Sequence, residues 1–127
     1  MHKNFIKTAA FSGALAVVLG AFGAHQLANF LSPKAMAIYE TAVRYLFYHV
    51  LALLAVGLLY QYFPNKLVQA AGSLFILGII LFSGSLLLLA YKEAMNVPLL
   101  KWAGPITPIG GACLIAGWVC LGLGIKK

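Results

Sequence analysis

Four runs of apolar residues, Ile6–Ala24, Ala42–Tyr62, Leu67–Tyr91 and Pro105–Ile125, take up most of the chain. Each approaches or exceeds the roughly 20 residues an α-helix needs to cross about 30 Å of hydrocarbon at about 1.5 Å per residue. Backbone N–H and C=O groups in lipid must be paired within their own segment, so runs of this kind are helices rather than open strands. Of the 127 residues, 63% are hydrophobic and 9% charged. A soluble domain carries roughly a quarter charged residues, so water alone cannot solvate this surface. The expectation is a single all-α domain over residues 1–127: an integral membrane four-helix bundle of up-down topology, with helices at about 6–24, 33–62, 67–91 and 105–125.

The formal charge of +7 does not point to nucleic acid. Lys3, Lys7, Lys34, Arg44, Lys66, Lys92, Lys101, Lys126 and Lys127 are scattered at segment ends, with no basic stripe interleaved with aromatics. Lysines in such places contact phospholipid headgroups and set orientation. Four crossings put Lys3, Lys7, Lys66, Lys126 and Lys127 on one side, and Lys34, Lys92 and Lys101 on the other with Arg44 nearby. By the positive-inside rule both termini face the cytoplasm, and the expected location is the cell (inner) membrane. The opening Met1–Lys7 with its apolar run has the layout of a signal peptide. The run is long for that role and reads as a retained first helix.

Helix signals punctuate the runs. Ser32-Pro33 is a cap followed by proline in the first turn, and Thr107-Pro108 repeats the device. Phe63-Pro64-Asn65-Lys66 is a short polar turn, and Ala16, Gly20 and Ala24 form a small-residue ridge for close helix approach. Cys113 and Cys120 stand about two turns, or ~10 Å, apart on one helix, too far for a disulfide, which needs Cα atoms within ~7 Å. No Cys or His spacing suits a metal, no cofactor motif is present, and Gly110-Gly111 lacks the lysine and strand of a phosphate loop.

Polar chemistry gathers in Tyr39-Glu40-Thr41-Ala42-Val43-Arg44-Tyr45-Leu46-Phe47-Tyr48-His49, the lead-in to the second span. Topology adds His25 from the end of the first span, Ser83 and Ser85 from the third and Thr107 from the fourth. All of these fall on the non-cytoplasmic half, whereas the other half offers little beyond Gln61 and Gln69. Glu40 and Arg44 are four apart with the acid first, the favourable order for a helical ion pair. The plain reading is a self-neutralising interfacial pair with Arg44 snorkelling. Tyr48 continues that face, and Tyr45 and His49 share the adjoining one. His49 lies about 13 Å deeper than Glu40 and is expected to be neutral, bonded to a hydroxyl or backbone group. His25 suits the end of a helix dipole, and the serines and threonine suit interhelical bonds or caps.

The candidate polar pocket is therefore His25, Glu40, Arg44, Tyr45, Tyr48, His49, Ser83, Ser85 and Thr107. Glu40 and Glu93 are the two acidic side chains, and no nucleophile–base set can be drawn, so the chain does not read as an enzyme.

Gly20-Ala21-Phe22-Gly23-Ala24-His25, Tyr45 through His49, Phe82-Ser83-Gly84-Ser85-Leu86, Ile106 through Gly111 and Gly117-Trp118 together resemble a family of small membrane proteins described as "domain of unknown function 423". Members of that family are bacterial inner-membrane proteins and small eukaryotic transmembrane proteins, so the resemblance implies a four-helix membrane domain and supplies no activity, ligand or cofactor. Leu87 stands where that family often has tyrosine, so a hydroxyl role does not carry over to it. Binding or scaffolding through the polar pocket is the leading functional expectation. The alternatives are a small proton-coupled transporter working as an oligomer through Glu40 or His49, and a structural or assembly module. The expected partners are the lipid bilayer and a homo-oligomer or a partner membrane protein.

Overall fold

A computed structural model describes residues 1–126. Its helices are α1 (Lys3–His25), α2 (Pro33–Leu59), α3 (Lys66–Gly78), α4 (Gly84–Met95) and α5 (Ile106–Gly124). A five-residue π-helical segment, Ile79–Ser83, joins α3 to α4, so Lys66–Met95 is one continuous span. Short 3₁₀ turns at Leu27–Asn29 and Pro98–Ala103 lead into α2 and α5. Four segments are thus long and apolar enough to cross a membrane, and the up-down bundle of the sequence reading is the fold.

The helices start where side chains satisfy the first free N–H groups. Ser32 Oγ accepts from the Ala35 amide at 3.2 Å with Pro33 in the first turn. Asn65 Oδ1 accepts from the Leu67 and Val68 amides at 3.0 and 3.1 Å. Its amide nitrogen donates to the Gly124 carbonyl at 2.8 Å, tying the α2–α3 turn to the end of α5. The N-terminus is held similarly: the His2 amide donates to the Gly57 carbonyl at 2.8 Å, and the His2 ring stacks on Phe5 at 3.7 Å. The end of the bundle expected to be plain packing therefore carries two polar ties, because the turns there leave helix-end carbonyls that only a side chain or amide of another segment can satisfy. Thr107 is not a cap: α5 has already begun at Ile106, behind Pro105.

α1 docks along α2, α3 along α5, and the π segment fills the space between α2 and α5. On α1 the residues facing α2 are small. Ala9, Ala16 and Gly23 are buried, with Gly13 and Gly20 beside them. The 4-3-4-3 alternation from 9 to 23 keeps one seam on α2. It differs from the ridge expected from Ala16, Gly20 and Ala24, because Ala24 is exposed and Gly23 is the residue that receives the Tyr39 ring. The Tyr39 hydroxyl closes this contact by donating to the Leu19 carbonyl.

The π segment inserts one residue and turns the following faces by about 100°. Ser83, the last π residue, then points at α2, where its hydroxyl donates to the Ala42 carbonyl at 2.8 Å. Gly110 of α5 lies directly on the backbone of this segment. A methyl there would meet the Phe82 Cα and the Leu81 carbonyl carbon, both 2.7 Å away. Overpacking of this kind costs about 1–3 kcal/mol. Gly110→Ala is expected to lower stability by that amount in detergent unfolding, whereas Gly122→Ala, with nothing within 4 Å of its new methyl, does not lower it.

Candidate functional site

The nine residues of the expected polar pocket do not form one cluster. The structure distributes them among two helix-joining networks, a groove and an exposed helix end.

His49 anchors the first network. It is buried, on the α2 face that meets α3 and α5, and Phe75 and Trp118 approach its ring edge-on at 5.6 and 6.0 Å. Its Nδ1 lies 2.7 Å from the Tyr45 carbonyl, and the Trp118 Nε1–H donates to its Nε2 at 3.1 Å. A carbonyl only accepts and an indole N–H only donates, which fixes the tautomer: Nδ1 carries the proton and Nε2 is the acceptor. Tyr45 stacks parallel to His49 at 6.2 Å and leans on Phe82 of the π segment at 5.0 Å. Tyr48 meets Tyr45 edge-on and is otherwise turned outward. The Tyr45 carbonyl, one turn back on the same helix, satisfies only Nδ1–H of His49; the bond from Trp118 satisfies Nε2 and makes His49 a joint between α2 and α5.

Ser83, Ser85 and Thr107 form the second network. Ser83 holds α2 as described. The Ser85 hydroxyl donates to the Phe82 carbonyl at 2.9 Å and so accepts from Thr107 Oγ1, 2.6 Å away. The second of these bonds joins α4 to the first turn of α5. Among the described residues, no buried side-chain nitrogen or oxygen lacks a hydrogen-bond partner.

Glu40 and Arg44 belong to neither network. Both are exposed and do not pair with each other; among the described residues the salt bridge is Lys34–Glu93, at 3.4 Å on the surface. The expected helical ion pair is thus absent. Helical spacing brings the two residues onto one flank, where both line one groove without forming an ion pair. That groove, a cavity of ≈ 410 Å³ between α1 and α2, is lined by Gly20, Gly23 and Ala24 on one wall and by Met36, Tyr39, Glu40, Val43, Arg44 and Phe47 on the other. The small seam of α1 opens it, since residues without bulk leave room above the α2 backbone. His25 follows Ala24 directly but is exposed at the end of α1, outside the lining.

On the opposite flank of the α1–α2 seam a second, apolar groove of ≈ 520 Å³ runs between α1 and α4, lined among others by Leu19, Phe22, Phe30, Leu87 and Tyr91. Tyr39 contributes to both grooves and separates them. Leu87, at the position where the resembled family often has tyrosine, therefore lines the apolar side. No group of three or more His, Cys, Asp or Glu side chains among the described residues is placed to hold a metal ion.

Sequence reading did not find Trp118 as the partner of His49, nor the ties made by His2 and Asn65. Asn65 had a usable signal, an asparagine directly before an apolar run and after a proline. His2 had none, because its partner is a carbonyl of a distant helix.

Four apolar spans, polar side chains spent on joining them, and one charged groove near the loop end define a small multi-pass membrane protein. Residues 19–111 match the family model described as "Protein of unknown function (DUF423)", and the chain belongs to that family. It is 41% identical to the "UPF0382 membrane protein" of Haemophilus influenzae over 127 residues, covering 100% of this chain and 97% of the relative. A Staphylococcus saprophyticus "UPF0382 membrane protein" is 42% identical over 98% of both chains. The "UPF0382 inner membrane protein YgdD" of Escherichia coli is 36% identical over 91% of this chain and 84% of its own. No solved structure matches the chain.

The His49–Trp118 joint has a measurable consequence. Trp118→Phe leaves the buried His49 acceptor without a donor, at a cost of about 1–3 kcal/mol. His49→Phe combined with Trp118→Phe removes both partners and is expected to lose less than the sum of the two single changes. Detergent unfolding of the three variants checks this.

Proposed function

We propose that the protein is a binding protein of the inner membrane that holds a small polar molecule in the α1–α2 groove. The observation that supports this reading is that Glu40 and Arg44 both line the groove while neither is paired. An ionisable group near the membrane that no protein partner neutralises is a functional-site candidate. The other polar side chains of the candidate pocket, His25 and Tyr48 excepted, are already engaged in helix contacts. With both termini in the cytoplasm, as the lysine distribution argues, the groove opens near the non-cytoplasmic headgroups.

The reading is one of binding without chemical conversion. A proton-coupled carrier would have to work through Glu40, since a proton added to His49 Nε2 would face the Trp118 N–H and break that bond. A homo-oligomer or a partner membrane protein is the setting we propose for the bundle. α1 docks on α2 and turns Phe11, Leu15, Val17 and Val18 outward, a face that a second membrane helix fits.

Mass spectrometry of small molecules and lipids retained after gentle extraction tests the binding reading. Wild-type protein is expected to retain a species that Glu40→Gln/Arg44→Gln protein loses, with both proteins equally folded by circular dichroism. Identical retained profiles would remove the groove as a binding site.

A further inference from the structure

We infer that the ligand of the α1–α2 groove is a zwitterion bearing a phosphate and a primary ammonium, the chemistry of a phosphoethanolamine headgroup. The inference rests on the groove being a binding site, as proposed above, and adds which molecule it selects.

Charge decides the first step. The groove wall carries one carboxylate and one guanidinium, and its remaining lining residues, Gly20, Gly23, Ala24, Met36, Tyr39, Val43 and Phe47, are uncharged. A ligand of net charge zero with separated poles satisfies both groups at once. A purely anionic headgroup leaves Glu40 facing like charge, and a simple cation leaves Arg44 in the same position. Because Glu40 and Arg44 do not pair with each other, neither has to be released before a ligand binds.

The identity of each pole follows from donor and acceptor chemistry. The Arg44 guanidinium presents a planar fork of N–H donors that suits two phosphate oxygens. An ionised Glu40 only accepts, so it suits an ammonium that still has N–H bonds to give. A quaternary ammonium has none and is held instead by aromatic faces. The groove lining has two aromatic rings, Tyr39 and Phe47, and the Tyr39 ring is packed on Gly23. Ethanolamine is therefore favoured over choline.

Order along the membrane normal supports the same assignment. α2 enters the membrane from its Pro33 end, so Arg44 lies about 6 Å deeper than Glu40 at 1.5 Å per residue. In a phospholipid of the adjoining leaflet the phosphate is esterified to glycerol and lies deeper, while the ammonium lies outermost. The groove presents its donor fork below and its carboxylate above, in the same sequence. The small α1 wall at Gly20, Gly23 and Ala24 lets the headgroup lie flat against the helix backbone.

Native mass spectrometry of the detergent-solubilised full chain with short-chain phosphatidylethanolamine, phosphatidylcholine and phosphatidylglycerol tests the assignment. Free phosphoethanolamine serves as a competitor. Wild-type protein is expected to form phosphatidylethanolamine adducts with about tenfold preference over the other two, the discrimination one charge-assisted hydrogen bond supplies. Glu40→Gln should erase the preference for ethanolamine over choline while binding persists, and Arg44→Gln should weaken all adducts. Arg44→Lys should restore part of the loss.

Displacement by free phosphoethanolamine at concentrations similar to the lipid would identify the headgroup alone as the ligand. Resistance to that competitor would identify the whole lipid. Equal binding of the three lipids that still depends on Arg44 would overturn the zwitterion assignment and leave the groove as a binding site. Adducts indifferent to both substitutions would overturn the assignment and the binding reading together.

Discussion

A polar atom surrounded by hydrocarbon has no water to bond, so it must find its partner inside the protein. The bundle is arranged around that requirement. Among the described residues each buried polar side chain reaches a specific carbonyl or side chain: Ser83 the Ala42 carbonyl, Ser85 the Phe82 carbonyl and Thr107, and His49 the Tyr45 carbonyl and Trp118. Between helices whose apolar surfaces resemble the lipid itself, such bonds supply register that hydrophobic contact cannot. At the terminal end, His2 and Asn65 close the bundle by reaching carbonyls of other helices.

Those bonds require close backbones, and small residues provide them. Gly110 brings α5 onto the π segment closely enough for the Thr107 hydroxyl, one turn earlier, to reach Ser85. The π insertion in turn sets the angle at which Ser83 meets α2 while Ser85 meets α5. Two serines separated by a single residue on a regular helix point to nearly opposite faces, and here those faces belong to two different neighbours. The bulge, the glycine and the hydroxyls are one device for holding the third span between α2 and α5.

Much of the architecture was legible in sequence because the bilayer reduces the choice of folds. Length and polarity of the apolar runs dictate helices, and the Ser32-Pro33 cap marks the start of α2. The π segment was not legible. Ile79–Ser83 is an ordinary apolar stretch, and what selects the bulge is the backbone of α5 lying against it. The candidate site was half legible. Spacing placed Glu40 and Arg44 on one flank of α2 correctly. It could not show that their charged ends stay apart, because that depends on the room left by Gly20, Gly23 and Ala24 on another helix. His49 was identified as a buried neutral group, but its partner, Trp118, sits 69 residues away in the chain, beyond the reach of any local rule.

The division of labour among polar residues bears on what the protein can do. A side chain that holds two helices together is costly to move, and moving His49 would open contacts to α3 and α5 at once. Glu40 and Arg44 lie on the flank of α2 turned away from the α3 and α5 packing, beside a wall of α1 that has no bulk. They can change partner without disturbing a single interhelical bond. Rigid ties around two unpaired charged residues suit a selective site, since the fixed helices set the backbone positions from which Glu40 and Arg44 reach the groove, about 6 Å apart along α2. Under the binding reading proposed above, selectivity would rest on how well a ligand meets both charged groups at once, with the bundle bearing the cost of holding the helices in place.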